Sequence, residues 1–244
     1  MGLFNDMTTE GHEETKDVLG GYNPLETDIY TGPIKLAYAG QSDSGARNVT
    51  LVTEFNGREY TETIYYTSRE GKNYYEKDGS KRSLPGFVVI DDLCMVTDGK
   101  PLAQQETEEK VVKIYDYDKR EEVPKSVHVL VGLIGQEASF AIQKNLENKS
   151  KKEGTEYVDT AETRETNNIQ KVFHTETRMT VPEARNGSDT PEFWDAWLSK
   201  NKGVTRDKRT IKGNQAQAGA PGGGGVPQGG QTAEPKKSLF GNKS

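Results

Sequence analysis

From Ile29 onward, apolar and polar residues alternate with a period of two. In PIKLAYA, Ile34, Leu36 and Tyr38 alternate with Lys35 and Ala37; in NVTLVTEF, Val49, Leu51, Thr53 and Phe55 recur at every second position. A period of two sends successive side chains to opposite faces, so each segment reads as a half-buried strand. Asn56-Gly57 follows, and a type I′ turn needs positive φ at both of its central residues, which this dipeptide tolerates. REYTETIYYT then supplies a return strand. The pattern predicts an antiparallel meander over 33–39, 48–55 and 58–67.

Ser68 to Ser83 reads as a finger with its own turn signal at Asp78-Gly79. LPGFVVIDDLCMVTDG changes to helical spacing, with Ile90, Leu93, Cys94 and Val96 on the buried side and Gly99 and Pro101 as stops. EKVVKIYDYD reads as a fourth strand leading into a hairpin-like excursion. SVHVLVGLIG reads as a short apolar helix closed by Gly135. QEASFAIQKNLEN alternates Ala138, Phe140 and Ile142 as a fifth strand. After Asn148 the chain turns polar, and NNIQKVFHT could be a sixth strand or a helix, because so few residues do not separate the two periods. Thr180-Val-Pro-Glu183 is a capping-box pattern. Thr190-Pro191 opens another helix, in which Trp194, Trp197 and Leu198 share a face that is expected to dock on the body.

Five strands, with helices inserted before the fourth and the fifth, match a partly open Greek-key barrel. The 244 residues suit one such domain with appendages. Apolar content is only 32% and mean hydropathy is −0.85, yet the apolar residues concentrate between Ile29 and Phe173, so the flanks carry the deficit. The expected organisation is an acidic N-terminal arm (1–27), a barrel domain with its C-terminal extension (28–199) and a basic, Gly-rich, disordered tail (200–244). From Lys200 on, nine Lys/Arg face two acids, so of the net −6 the first 199 residues carry −13 and the tail +7. An acidic body with a local basic finger confines any polyanion to one track. No run approaches the ~20 apolar residues of a membrane span. The N-terminus lacks a basic segment followed by an apolar one, and MGLFND has Asp6 where myristoylation needs Ser or Thr, so a soluble, unexported protein is expected. One cysteine, Cys94, excludes an internal disulfide and a thiolate zinc cluster.

Catalytic patterns are sparse. Gly222 to Gly225 lie in linker composition and precede no Lys-Ser/Thr, and His12, His128 and His174 lack metal-ligand spacing. Asp92 with Glu108 and Lys110 has the acid and Glu-x-Lys form of a magnesium-dependent nuclease, although in a chain with 29% charged residues that tripeptide also marks an ordinary strand entry. The expectation is a non-enzymatic protein with no cofactor and no metal. Binding has more support. Open barrels of this kind hold single strands by a basic groove that follows phosphates and by aromatic faces that stack bases. Lys35, Tyr38 and Arg47 lie on or beside the first two strands, and Tyr65 on the third; Arg69, Lys72, Tyr74, Tyr75 and Lys81 lie on the finger; Lys113 and Tyr115 share a face of the fourth strand. Alternation makes Tyr65, rather than Tyr66, the outward tyrosine of its pair. Beyond the linker, Lys236, Lys237, Leu239 and Phe240 form an isolated basic and apolar tip suited to docking a protein partner, which leaves an interaction scaffold as a further reading.

The run GPIKLAYAGQSDSGARNVTLVTEFNGREYTETIYYTSREGKNYY, with LPGFVVIDDLCMVT and VLVGLIGQEASFAI, resembles the single-stranded DNA-binding proteins encoded by tailed bacteriophages, over roughly Asp28 to Asn148. The resemblance implies an oligonucleotide-binding (OB) barrel and sequence-independent protection of single strands in phage replication, recombination and repair. It also implies a tail that recruits replication or recombination proteins, and residence in the cytoplasm of the infected host. Such tails are commonly acidic and end in an aromatic residue. Here the tail is basic and Phe240 stands four residues before the end, so it would need an acidic partner surface.

Overall fold

The first strand is longer than its alternation predicts, because it serves two sheets at once. In a computed structural model that describes residues 23–116, 119–154 and 156–211, β1 spans Asp28–Gln41. Its second half pairs with β2 (Arg47–Phe55), from Ile34↔Thr53 to Gln41↔Arg47. Its first half pairs with β8 (Glu137–Glu153), from Asp28↔Ile142 to Pro33↔Glu137. The strand changes partner at Gly32-Pro33, and its register with β2 shifts between Ile34 and Leu36. A Cβ on Gly32 would stand 2.0 Å from the Glu54 carbonyl oxygen, so only glycine lets the two backbones close there.

The meander continues into β3 (Arg58–Tyr65) through Asn56-Gly57, with φ of 52° and 77° as a type I′ turn requires. The finger is a separate two-stranded ribbon, β4 (Tyr74–Lys77) and β5 (Ser80–Ser83), and Asp78-Gly79 likewise has positive φ at both residues, 52° and 71°. Helix α1 (Pro85–Thr97) starts with proline in its first turn, and its second residue is Gly86, where a Cβ would lie 2.1 Å from the Tyr65 carbonyl oxygen. It buries Ile90, Leu93 and Cys94 as its spacing predicts, and Val89 besides, while Val96 is only half-buried; an ion pair of 2.6 Å between Asp92 and Lys171 ties the helix to β9 (Glu156–Phe173).

Four segments differ from their sequence pattern. SVHVLVGLIG is not a helix: β6 (Thr107–Asp116) and β7 (Glu121–Leu130) form a ribbon, and only Val131–Leu133 makes one 3₁₀ turn before Gly135. The fifth strand does not stop at Asn148, and the polar run after it is no loop. β8 continues to Glu153 and returns as β9, in a ladder reaching from Ser139↔Phe173 to Glu153↔Glu156. NNIQKVFHT supplies the inner end of β9. The chain past Lys200 remains on the body to Ile211. β10 (Arg206–Asp207) pairs in parallel with β8, and the Asn148 side chain binds both Thr210 and Ile211. Residues 23–27 are likewise pinned, with Thr27 Oγ1 donating to the Val204 carbonyl and accepting from Lys144 N–H.

The fold is therefore mostly β, one eight-stranded sheet that is antiparallel apart from β10 and does not close on itself. Ile34, Leu51, Phe55, Ile90, Leu93, Leu133, Phe140 and Val172 fill its core, and Phe55 meets Phe140 edge-on. The open seam lies between β3 and β9, which share no ladder. There the Glu62 carboxylate accepts from the Ile169 N–H at 2.8 Å and the Tyr60 hydroxyl at 2.7 Å. Helix α2 (Val181–Arg185) has the expected capping box, and α3 (Glu192–Asn201) docks as expected: Trp197 is buried, and Trp194 packs edge-on against Phe173. Among the described residues no helix is long and apolar enough to cross a membrane.

Candidate nucleic-acid interface

Antiparallel partners share a face, so the registers sort the outer surface of the meander into rows. Gly40, Asn48 and Tyr65 form one row, Tyr38, Thr50 and Thr63 the next, and Leu36, Val52 and Thr61 the third. Tyr65 is 49% exposed, Tyr38 is half-buried, and Thr50 and Thr63 join their hydroxyls at 3.0 Å. Tyr66 turns inward against the core, as the alternation requires. Two tyrosines spaced along a threonine-lined strip provide flat apolar faces beside hydroxyl donors.

The end of the meander that carries Tyr65 also carries the finger. Tyr66 N–H donates to the Arg47 carbonyl, and the loop between β1 and β2 brings Gly45 against the Arg69 carbonyl. Arg47, Arg69 and the finger thus crowd one rim. At the base of the finger an open groove of about 460 Å³ is lined by Arg69, Lys72, Tyr74 and Tyr75 together with Glu70 and Glu76.

Cross-strand register divides the finger into two unlike faces. On one, Glu76 faces Lys81, and the Lys81 ammonium sits 4.6 Å from the centre of the Tyr74 ring. On the other, Tyr75 faces Arg82 and Lys77 faces Ser80. That second face holds one ring, 42% exposed, beside two exposed cations, with no carboxylate on its side. Lys77 and Arg82 make no ion pair among the described residues, whereas Lys72 pairs with Glu70 at 2.6 Å; that hydrogen bond holds the Lys72 ammonium above and the Glu70 carboxyl below their ordinary ranges. Spacing along the sequence singles out Arg69, Lys72 and Lys81; on the ribbon itself the partners assigned by the fold leave Lys77 and Arg82 open to an external phosphate.

Other expected contacts lie apart. Lys35 stands at the register shift of β1, paired with Glu54 at 3.2 Å. Lys113 and Tyr115 do share an exposed face, but the ladder that continues from β1 into β7 and β6 puts it on the reverse side from Tyr38 and Tyr65. Lys236, Lys237, Leu239 and Phe240 lie outside the described residues. Asp92 is engaged by Lys171 and Glu108 by Lys110, so the two acids of the nuclease pattern answer to different cations. Among the described residues no three His, Cys, Asp or Glu side chains are grouped to hold a metal ion. A further aromatic and basic spot appears at the tip of the β8–β9 ribbon, where Tyr157, 73% exposed, pairs with Lys152. Its only sequence signal is a tyrosine following a lysine pair in a polar run.

No family model, curated protein or solved structure matches this chain. Its function must therefore be read from the geometry of the rim, the finger and the outer sheet face.

Proposed function

We propose that the chain binds single-stranded DNA without sequence preference and protects it during phage replication, recombination or repair, on an OB-like barrel left partly open between β3 and β9. The observation that carries this reading is the Tyr75, Lys77 and Arg82 face of the finger. A ring open on one side can stack any base, worth about 1–3 kcal/mol, and the neighbouring cations meet the phosphates on either side of it. Tyr65 and Tyr38 extend the track onto the sheet, and Arg47 and Arg69 line the rim between. An acidic body opposes nucleic acid elsewhere, so the strand is held where the cations are unscreened. Stacking and phosphate contact accept any base, which accounts for binding without sequence preference. The terminal tip at Lys236, Lys237, Leu239 and Phe240 supplies a docking element for a protein partner.

The test is fluorescence anisotropy of a labelled oligo-dT of about 30 nucleotides, long enough for at least one site of ~4–16 nucleotides, beside the matching duplex. Wild type binds the single strand and much less of the duplex. Tyr75→Ala weakens binding by about 1–3 kcal/mol. Loss of Lys77 or Arg82 reduces the slope of log affinity against log salt by about 0.7 for each phosphate contact removed. Full affinity in the Tyr75→Ala/Arg82→Ala variant removes the finger from the site, and no binding to any single strand at low salt overturns the reading.

A further inference from the structure

Among the described residues, strand β6 has only one neighbouring strand. It is hydrogen-bonded to β7 along its whole length and to no other described strand, so its far edge presents a row of backbone donors and acceptors. Long exposed edges are usually blunted by charged side chains, by proline, by a bulge or by a covering segment. β6 contains no proline, and its ladder runs without a register shift from Thr107↔Leu130 to Asp116↔Glu121. At its centre Val111 is 72% exposed, an apolar side chain with little to cover it.

The side chains of this edge match themselves. When two copies of one strand pair antiparallel about a two-fold axis perpendicular to the sheet, partners share a face and the axis passes midway between one residue and its own copy. With the axis at Val111, Val111 meets its own copy, and Glu109 meets Lys113 twice, once on each side. All three side chains lie on one face of the ribbon. The neighbouring registers are worse. An axis at Lys110 or Lys113 sets a lysine against itself, and one at Val112 opposes Glu108 to Asp116 and leaves Glu109 without a cation. Lys113 makes no ion pair among the described residues. Glu109 accepts from the Ser126 hydroxyl through one oxygen, leaving the other available.

We propose that this edge binds a second copy of the chain, forming a two-fold dimer in which β6 pairs antiparallel with β6 about Val111, joining two ribbons into one four-stranded sheet. The inference stands apart from DNA binding, because it uses the face of the ribbon turned away from Tyr38 and Tyr65, and its test needs no nucleic acid.

Sedimentation equilibrium of the full chain at roughly 100 µM, where an interface of micromolar affinity is saturated, gives a dimer. Glu109→Lys or Lys113→Glu alone brings like charges together at both cross-strand pairs and raises the dimer dissociation constant about tenfold or more. The double variant Glu109→Lys/Lys113→Glu recovers the dimer. Mixing the two single variants also recovers it, because every pair across that heterodimer is then of opposite charge. Both positions in these tests are exposed, and an unchanged far-UV circular dichroism spectrum confirms that the variants fold. A wild-type monomer at this concentration overturns the proposal, as does a dimer that both single variants leave intact.

Discussion

Replacing Glu62 by glutamine tests the open seam of the sheet. Glu62 lies between β3 and β9, and burial pushes its carboxyl from the ordinary 4.5 up to about 7, against the hydrogen bonds from Tyr60 and Ile169, which pull it down. A carboxyl whose folded value is raised binds more protons in the folded than in the unfolded chain between those two values. Its contribution to stability is therefore complete below about 4.5, is lost as pH rises towards 7, and changes no further above that. The full difference corresponds to about 3 kcal/mol at 1.36 kcal/mol per unit. The seam is not fully closed to solvent, and a neutral acceptor receives weaker hydrogen bonds than a carboxylate, so the usable part is about 1–2 kcal/mol. Both donors point to the same Glu62 oxygen, so the single amide oxygen of glutamine can take both bonds. Glu62→Gln should thus stabilise the protein by about 1–2 kcal/mol at pH 8, differ little from wild type at pH 5, and flatten the pH dependence between them. Urea unfolding followed by tryptophan fluorescence at several pH values measures this directly. A variant less stable than wild type at pH 8, or a difference that does not change with pH, would refute the argument that desolvation dominates at this carboxyl.

Two further outcomes follow from buried groups. Asp92→Ala leaves the Lys171 ammonium, 17% exposed, without its carboxylate, and should cost about 3 kcal/mol in urea unfolding, most of it regained when Lys171 is also made methionine. Cys94 is buried in α1, and burial, helped by Asp91 and Asp98, pushes its thiol up to about 12. It should react with a disulfide reagent at pH 8 only as fast as the protein opens, with the rate rising steeply once urea unfolds the chain; rapid labelling of the native protein would contradict the packing of α1.

The turns were legible because their chemistry is local: Asn56-Gly57 and Asp78-Gly79 specify positive φ whatever surrounds them. The capping box at Thr180 was legible for the same local reason, and the meander, α1 and the docking of α3 because each buries one side and so shows a period. The outer half of the β8–β9 ribbon buries neither side. NKSKKE and EYVDTAETRE carry no alternation, and only the ladder and side-chain bonds such as Ser150 to Asp159 hold them as strands. The extension of β1 was hidden for a different reason: its first residues answer to β8, a partner far along the chain. The candidate site shows the same division. Alternation paired Lys113 with Tyr115 and turned Tyr65 outward, but which side of the molecule the former pair faces depends on two rungs between β1 and β7. Composition located the basic finger, whereas pairing decided that Glu70 screens Lys72 and leaves Arg82 beside Tyr75.

The double allegiance of β1 also has a consequence for synthesis on the ribosome. The half of β1 that joins the meander finds its partners within the next few dozen residues, but Tyr30 must wait for Phe140, about 110 residues later. At about 5–20 residues per second the nascent chain spends roughly 5–20 seconds with β1 half-paired, the inner faces of Ile34 and Phe55 without Phe140, and a strand edge open to neighbours. Rapid translation, or a chaperone on the emerging chain, should therefore raise the folded yield more than any change to the finished surface.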